Sequence, residues 1–176
     1  MLNSRKLFFY LIDWIKGSNI KTQIKEISFI VTNPEAVESK RIRKVQEMKL
    51  LAHASQNVSF YKNIVNSQNR ISLEKFPIIN KNIIRENIDN FIAEGIDKNL
   101  LFKVVTSGST GTPFSVYHDL NKKNRNSADT IFFGKLAGFE IGNQLNYLKI
   151  WTVVNKKRRL KALAENIEAI DVTELS

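Results

Sequence analysis

Val104-Val105-Thr106-Ser107-Gly108-Ser109-Thr110-Gly111-Thr112-Pro113-Phe114 sets small hydroxyl residues and two glycines between two strand-like runs. Leu101-Phe102-Lys103-Val104-Val105 leads in with β-branched residues, and Phe114-Ser115-Val116-Tyr117 leads out with an alternation that predicts one buried face. Gly108 and Gly111 permit positive φ and let backbone N–H groups approach a ligand closely. Ser107, Ser109, Thr110 and Thr112 add hydroxyl donors, and Pro113 stiffens the exit. Converging N–H and O–H groups form a nest for an anion, of which phosphate is the usual occupant. The same composition also suits an ordinary hairpin turn or a flexible link. No Gly-Lys-Ser/Thr follows, so this is not a Walker A loop, and the glycine spacing and missing helix start disagree with a dinucleotide-binding turn.

The bounds around this loop are broad. A chain of 176 residues suits one domain with a sizeable core. With 43% hydrophobic and 25% charged residues it falls in the soluble globular class. The absence of cysteine excludes a disulfide frame, a thiolate metal site and a cysteine nucleophile, and is compatible with the cytoplasm, the expected location. The net charge is +10. The basic residues are spread along the chain, and their one tight cluster, Lys156-Lys157-Arg158-Arg159, has no interleaved aromatics. A solvated basic face is therefore favoured, and no nucleic-acid partner is expected.

Outward from the loop, Phe76-Pro77 ends a short turn capped by Ser72, and Asn80 starts a helix through Ile83, Ile84 and Ile88. Asn33-Pro34-Glu35 reads as a helix start, and Ile42, Val45, Met48, Leu51 and Ala52 as that helix's apolar face. His53, near its end, is a capping or packing residue, and His118 is given no chemistry. Leu7 to Ile15 is an apolar run with Asp13 inside it, flanked by Arg5, Lys6 and Lys16. It is too short to span a bilayer and reads as a helix packed on the domain. Its alternative is a membrane-surface contact through residues 5–16. Beyond the loop, Asp119 caps a helix to about Gly138, with Lys122, Lys123 and Arg125 early in it as candidate counter-charges. Tyr147 to Val154 predicts a buried strand, Lys156 to Ile167 a helix and Ile170 to Val172 another strand, a parallel α/β unit.

In order along the chain, Thr106-Ser107-Gly108-Ser109-Thr110-Gly111-Thr112-Pro113 resembles the phosphate-loop signature of adenylate-forming enzymes. The likeness extends upstream through His53-Ala54-Ser55-Gln56-Asn57-Val58-Ser59-Phe60-Tyr61-Lys62 and Phe76-Pro77-Ile78-Ile79-Asn80-Lys81. Together these resemble the phenylacetate–CoA ligase superfamily, in particular its CapK-type capsular-polysaccharide branch, over about residues 40–176. The resemblance implies a ligase that activates a small-molecule carboxylate with ATP and Mg²⁺, holds an acyl-adenylate, and in many members passes the acyl group to coenzyme A. It gives Thr106, Ser107, Gly108, Ser109, Thr110, Gly111 and Thr112 to the outer phosphates of ATP, with no catalytic residue and no protein metal ligand assigned. Two features depart from it. Many relatives carry Lys where Phe114 stands, and the later motifs for adenine, ribose and the catalytic lysine have no counterpart, so the chain looks like the front portion of a longer enzyme. The expected fold is α/β, part of the large N-terminal domain of such enzymes. Its segments would be an apolar segment at 1–32, a helical region at 33–100, the loop hairpin at 101–118 and the start of a parallel sheet at 119–176. A truncated, non-catalytic remnant or interaction module and a basic peripheral membrane protein are the alternatives.

Overall fold

A computed structural model describes residues 3–62, 64–65, 71–106, 114–150, 162–163 and 165–174. The architecture is mixed α/β. Its helices are α1 (Ser4–Ile15), α2 (Ile20–Thr32), α3 (Val37–Asn57), α4 (Ser59–Lys62), α5 (Lys81–Glu86) and α6 (Leu120–Leu136). Its strands are β1 (Phe102–Val105), β2 (Ser115–His118), β3 (Leu145–Lys149) and β4 (Ile167–Asp171). The chain divides into two compact units, Met1–Ser28 with Asn124–Ser176, and Phe29–Lys123.

In the first unit, Asn3 both caps α1 and clamps a distant turn. Its Oδ1 accepts the Lys6 N–H at 3.1 Å, while its Nδ2 donates to the Ile141 carbonyl at 2.9 Å. Gly142 lies beside it at φ +94, a left-handed conformation suited to glycine, and a Cβ there would come within 2.3 Å of Asn3 Oδ1. Asp13 explains its own place in an apolar run. It is buried, and its two carboxylate oxygens accept the N–H groups of Ile20 and Lys21 at 2.9 and 3.0 Å, satisfying the exposed start of α2. The apolar stripe of α2 then packs Ile27, with Ile20 and Ile24, against Ala128 and Phe132 of α6. Arg125 bonds Glu26 at 2.8 Å and lies 3.5 Å from Asp129.

Two expectations change in this unit. Asp13 is the one buried residue of α1, Phe9, Tyr10 and Ile12 are half-buried, and Leu7, Phe8, Leu11, Trp14 and Ile15 are exposed, so the helix packs only part of its apolar surface. The strand expected at Tyr147–Val154 begins at Leu145 and is exposed at every position of β3, not buried. It pairs in parallel with β4, Leu145 opposite Ile167 through Lys149 opposite Asp171, and among the described residues no third strand or covering layer joins them. Ile167 thus begins a strand instead of ending a helix. The cause is Asn166, at φ +54, whose carbonyl accepts the Leu145 N–H at 2.9 Å and whose side chain donates to Gly142 O at 3.0 Å. Trp151–Val154 and the Lys156–Arg159 cluster lie outside the described residues.

In the second unit, α3 starts at Val37, three residues later than the Asn33-Pro34 cap suggested. The Asn33 N–H still bonds the Phe29 carbonyl at 3.0 Å, so Asn33 closes α2, and Pro34, with no N–H to give, ends that ladder. The buried face of α3 is also different: Ser39, Leu51 and Ser55 are buried, whereas Val45 and Met48 are exposed. Asn80 Oδ1 accepts the N–H groups of Asn82 and Ile83, both at 3.0 Å, and so caps α5 as its sequence predicted. Ile88 lies beyond α5, in a 3₁₀ turn from Ile88 to Phe91. Phe60, Tyr61, Phe76 and Phe91 form an aromatic cluster, with Phe60 stacked on Phe91 at 4.2 Å.

Candidate functional site

The candidate loop is carried by an antiparallel hairpin in the second unit, with Phe102 opposite His118 and Val105 opposite Ser115. Thr106 extends the ladder by one step. Its N–H donates to the Phe114 carbonyl at 2.8 Å, and its Oγ1 accepts the Phe114 N–H at 3.4 Å. Of the seven residues assigned to phosphate, Thr106 is the one described, and its backbone donor is already used as the clasp of the hairpin. Its hydroxyl hydrogen is the donor it retains. Ser107, Gly108, Ser109, Thr110, Gly111 and Thr112 lie outside the described residues. The predicted single buried face of β2 is absent: all four of its residues are half-buried and all four of β1 exposed, and among the described residues no third strand joins the hairpin.

Positive charge reaches this hairpin through space. The Lys81 ammonium sits 5.9 Å from the centre of the Phe114 ring, within cation–π range. Lys98 lies 5.0 Å from the Tyr117 ring and Lys123 3.8 Å from that of Phe102. Hydrogen bonding to Asp89 at 2.6 Å is the main cause that raises the Lys98 pKa, with Tyr117 adding to it. Among the candidate counter-charges, Lys123 is therefore at the hairpin, while Arg125 is engaged by Glu26 and Asp129. Phe114, the departure from the resembling pattern, is itself the seat of an ammonium group. Sequence reasoning named Lys81 in the upstream stretch but not as a charge at the hairpin, because the residue lies far from the loop along the chain. The signal was present in the Asn80 cap, which fixes where α5 begins.

Behind the hairpin lies a mainly apolar cavity of about 480 Å³, walled by Val58, Tyr61, Ile88, Phe91 and Val116 among others. Both histidines of the chain, His53 and His118, line it, with Asp119 and Lys122. His53 is exposed on α3, where its Nδ1 accepts from the Asn57 side-chain amide at 3.1 Å. Asp119 Oδ1 accepts the Lys122 N–H at 2.6 Å and caps α6. Burial pushes the Tyr61 phenol above its ordinary pKa. A strap closes one side: the Glu94 N–H donates to the Asn57 carbonyl at 2.7 Å, and the Glu94 carboxylate takes Lys62 at 2.5 Å and Ser59 at 3.1 Å. Lys62 first, then Ser59, hold the Glu94 carboxyl below the usual glutamate range.

No family model, no curated protein and no solved structure matches this chain.

Among the described residues no group of three or more His, Asp or Glu side chains could hold a metal ion, and no helix is long and apolar enough to cross a membrane. The arrangement can present ammonium groups to an anion at the hairpin and an apolar wall with two imidazoles behind it.

Proposed function

We propose that this chain supplies the ATP-phosphate side of an adenylate-forming ligase of the phenylacetate–CoA ligase/CapK type. One observation carries the reading. The two upstream segments on which the resemblance rests lie in one compact unit with the residue that follows the loop, Tyr61 packing on Phe76 at 5.2 Å and Lys81 standing over Phe114. Ser107 to Thr112 would offer N–H and O–H donors to the outer phosphates, with Mg²⁺ arriving on the triphosphate. Lys81 would provide the charge that Phe114 cannot. Hydrogen bonds to a charged group contribute about 1.5–3 kcal/mol each, so several such donors suffice to hold a polyphosphate. The cavity would receive the organic part of the carboxylate. Preorganised donors would then stabilise charge on the departing pyrophosphate as the carboxylate attacks the α-phosphate. Coenzyme A as acceptor and a role in surface-polysaccharide synthesis belong to the same proposal.

The test is a titration of the chain with MgATP, followed by the amide resonances of Thr106 and Phe114. Weak, saturable shifts that Gly108→Ala/Ser109→Ala/Gly111→Ala removes are expected. Unmoved resonances at millimolar MgATP would overturn the loop assignment. In a protein that also carries the later motifs, the same triple change is expected to abolish ATP–pyrophosphate exchange.

A further inference from the structure

The loop and its hairpin leave α1 unused, and α1 carries an exposed, ordered apolar stripe. Leu7, Leu11 and Trp14 follow one another at helical spacing, with Phe8 and Ile15 alongside, and all five side chains are exposed, Trp14 at 79%. The helix is about 18 Å long at 1.5 Å per residue, so it can lie on a bilayer and cannot cross one. The chain around it is cationic. Residues 1–25 hold Arg5, Lys6, Lys16, Lys21 and Lys25 against the single acid Asp13, which is buried and committed to capping α2. Lys6 is paired with Glu140 at 2.7 Å, and Arg5, Lys16, Lys21 and Lys25 are exposed. Lys21 stands 5.4 Å from the Tyr10 ring.

We propose that α1 is an interfacial anchor, which lays Leu7, Phe8, Leu11, Trp14 and Ile15 into the headgroup–acyl boundary of an anionic membrane while Arg5, Lys16, Lys21 and Lys25 meet the lipid phosphates. The chemistry of the stripe and of the cations near it selects this occupant. An aromatic and aliphatic stripe about a hundred degrees wide, with long basic side chains near it that can reach upward to headgroups, is what such a boundary accommodates. Each basic residue near an anionic surface strengthens binding about fivefold. A protein partner's apolar groove would need acids around it to match the same cations, and a second copy would bring its own cations against these.

The experiment uses the whole chain with Trp151→Phe, which leaves Trp14 as its one tryptophan. It is mixed with vesicles of phosphatidylcholine, or of phosphatidylcholine with phosphatidylglycerol, and binding is followed by sedimentation and tryptophan emission. Binding to the anionic vesicles alone, a blue shift of Trp14, and weakening as salt rises are expected. Phe8→Glu/Leu11→Glu, at exposed positions, is expected to cut binding at least tenfold and abolish the shift. Arg5→Glu/Lys16→Glu leaves the apolar stripe intact and is expected to cut binding at least tenfold as well, which covers the case in which the first variant misfolds. Three results would overturn the proposal: no binding at low salt, binding with unshifted Trp14 emission, or a blue shift produced by self-association without lipid.

Discussion

Replacing Asp13 separates two accounts of α1 with opposite signs. If Asp13 were only a charge interrupting an apolar run, Asp13→Leu would improve helix propensity and stabilise the chain. The geometry predicts the reverse. The carboxylate is 7% exposed and accepts two N–H bonds, from Ile20 and Lys21, at the positive end of α2. Loss of a capping side chain costs about 0.5–2 kcal/mol, and stranding partly buried donors adds about 1–3 kcal/mol each where water cannot reach them. The corner is only partly closed, so Asp13→Leu and Asp13→Ala should each destabilise the first unit by about 2–4 kcal/mol. Asp13→Asn keeps one acceptor and should cost about half as much. Native-state hydrogen exchange at the amides of Ile20 and Lys21 isolates this unit from the other, and urea unfolding followed by circular dichroism gives the global change. A value for Asp13→Leu within 0.5 kcal/mol of the parent, or a stabilisation, would refute the capping account.

Gly142→Ala must both adopt a φ of +94 and displace Asn3, so it should lower stability by about 1–3 kcal/mol and fray the first turn of α1, visible as faster exchange of the Lys6 amide. Phe132→Ala empties the centre of the Ile27–Ala128 cluster and should cost about 3–5 kcal/mol by chemical denaturation. The Glu94 carboxyl titrates below its ordinary range, so its contribution is complete above the unfolded value of about 4.3 and is lost as pH falls through the lower folded value. Acidification should therefore lower the protection factor of the Glu94 amide, its exchange rate taken relative to the intrinsic rate at each pH, and Glu94→Gln should remove that dependence. For the ammonium over Phe114, a double-mutant cycle of Lys81→Ala with Phe114→Leu should give a coupling of about 0.5–1 kcal/mol, read by chemical denaturation; zero coupling would leave the 5.9 Å approach without energetic meaning.

Local signals survived the step from sequence to structure where one side chain settles one end of an element. Asn80 and Asp119 cap the helices they were expected to cap, and the β-branched runs around the hydroxyl loop form the two strands of a hairpin. Failures came where a distant residue competes. Asn33 has the chemistry of a cap, but α2 already uses its N–H, and the next helix waits until Val37. Burial was legible least of all. The apolar face of α1 and the strand β3 look like core in the alphabet of residues, yet among the described residues the first is covered only in part and the second is exposed. The division into two units leaves no mark either, since Ser28–Phe29 and Lys123–Asn124 fall in helical sequence without proline or glycine. Within the site, the loop drew attention by its order of residues. The place of Lys81 at the hairpin and the meeting of His53 with His118 at one cavity could not, because each depends on the path of the chain between them.

The clamp of Asn3 on Ile141 has a temporal side. The chain leaves the ribosome from its amino end, so the cap of α1 is made some 138 positions before the carbonyl that holds it. At ordinary elongation rates that interval is on the order of ten seconds. Phe29–Lys123 can condense in the meantime from its own residues, whereas Met1–Ser28 has no Ala128 or Phe132 to close on. For that time the greasy side of α1 stands without its folded surroundings, and whatever surface it meets first has the advantage.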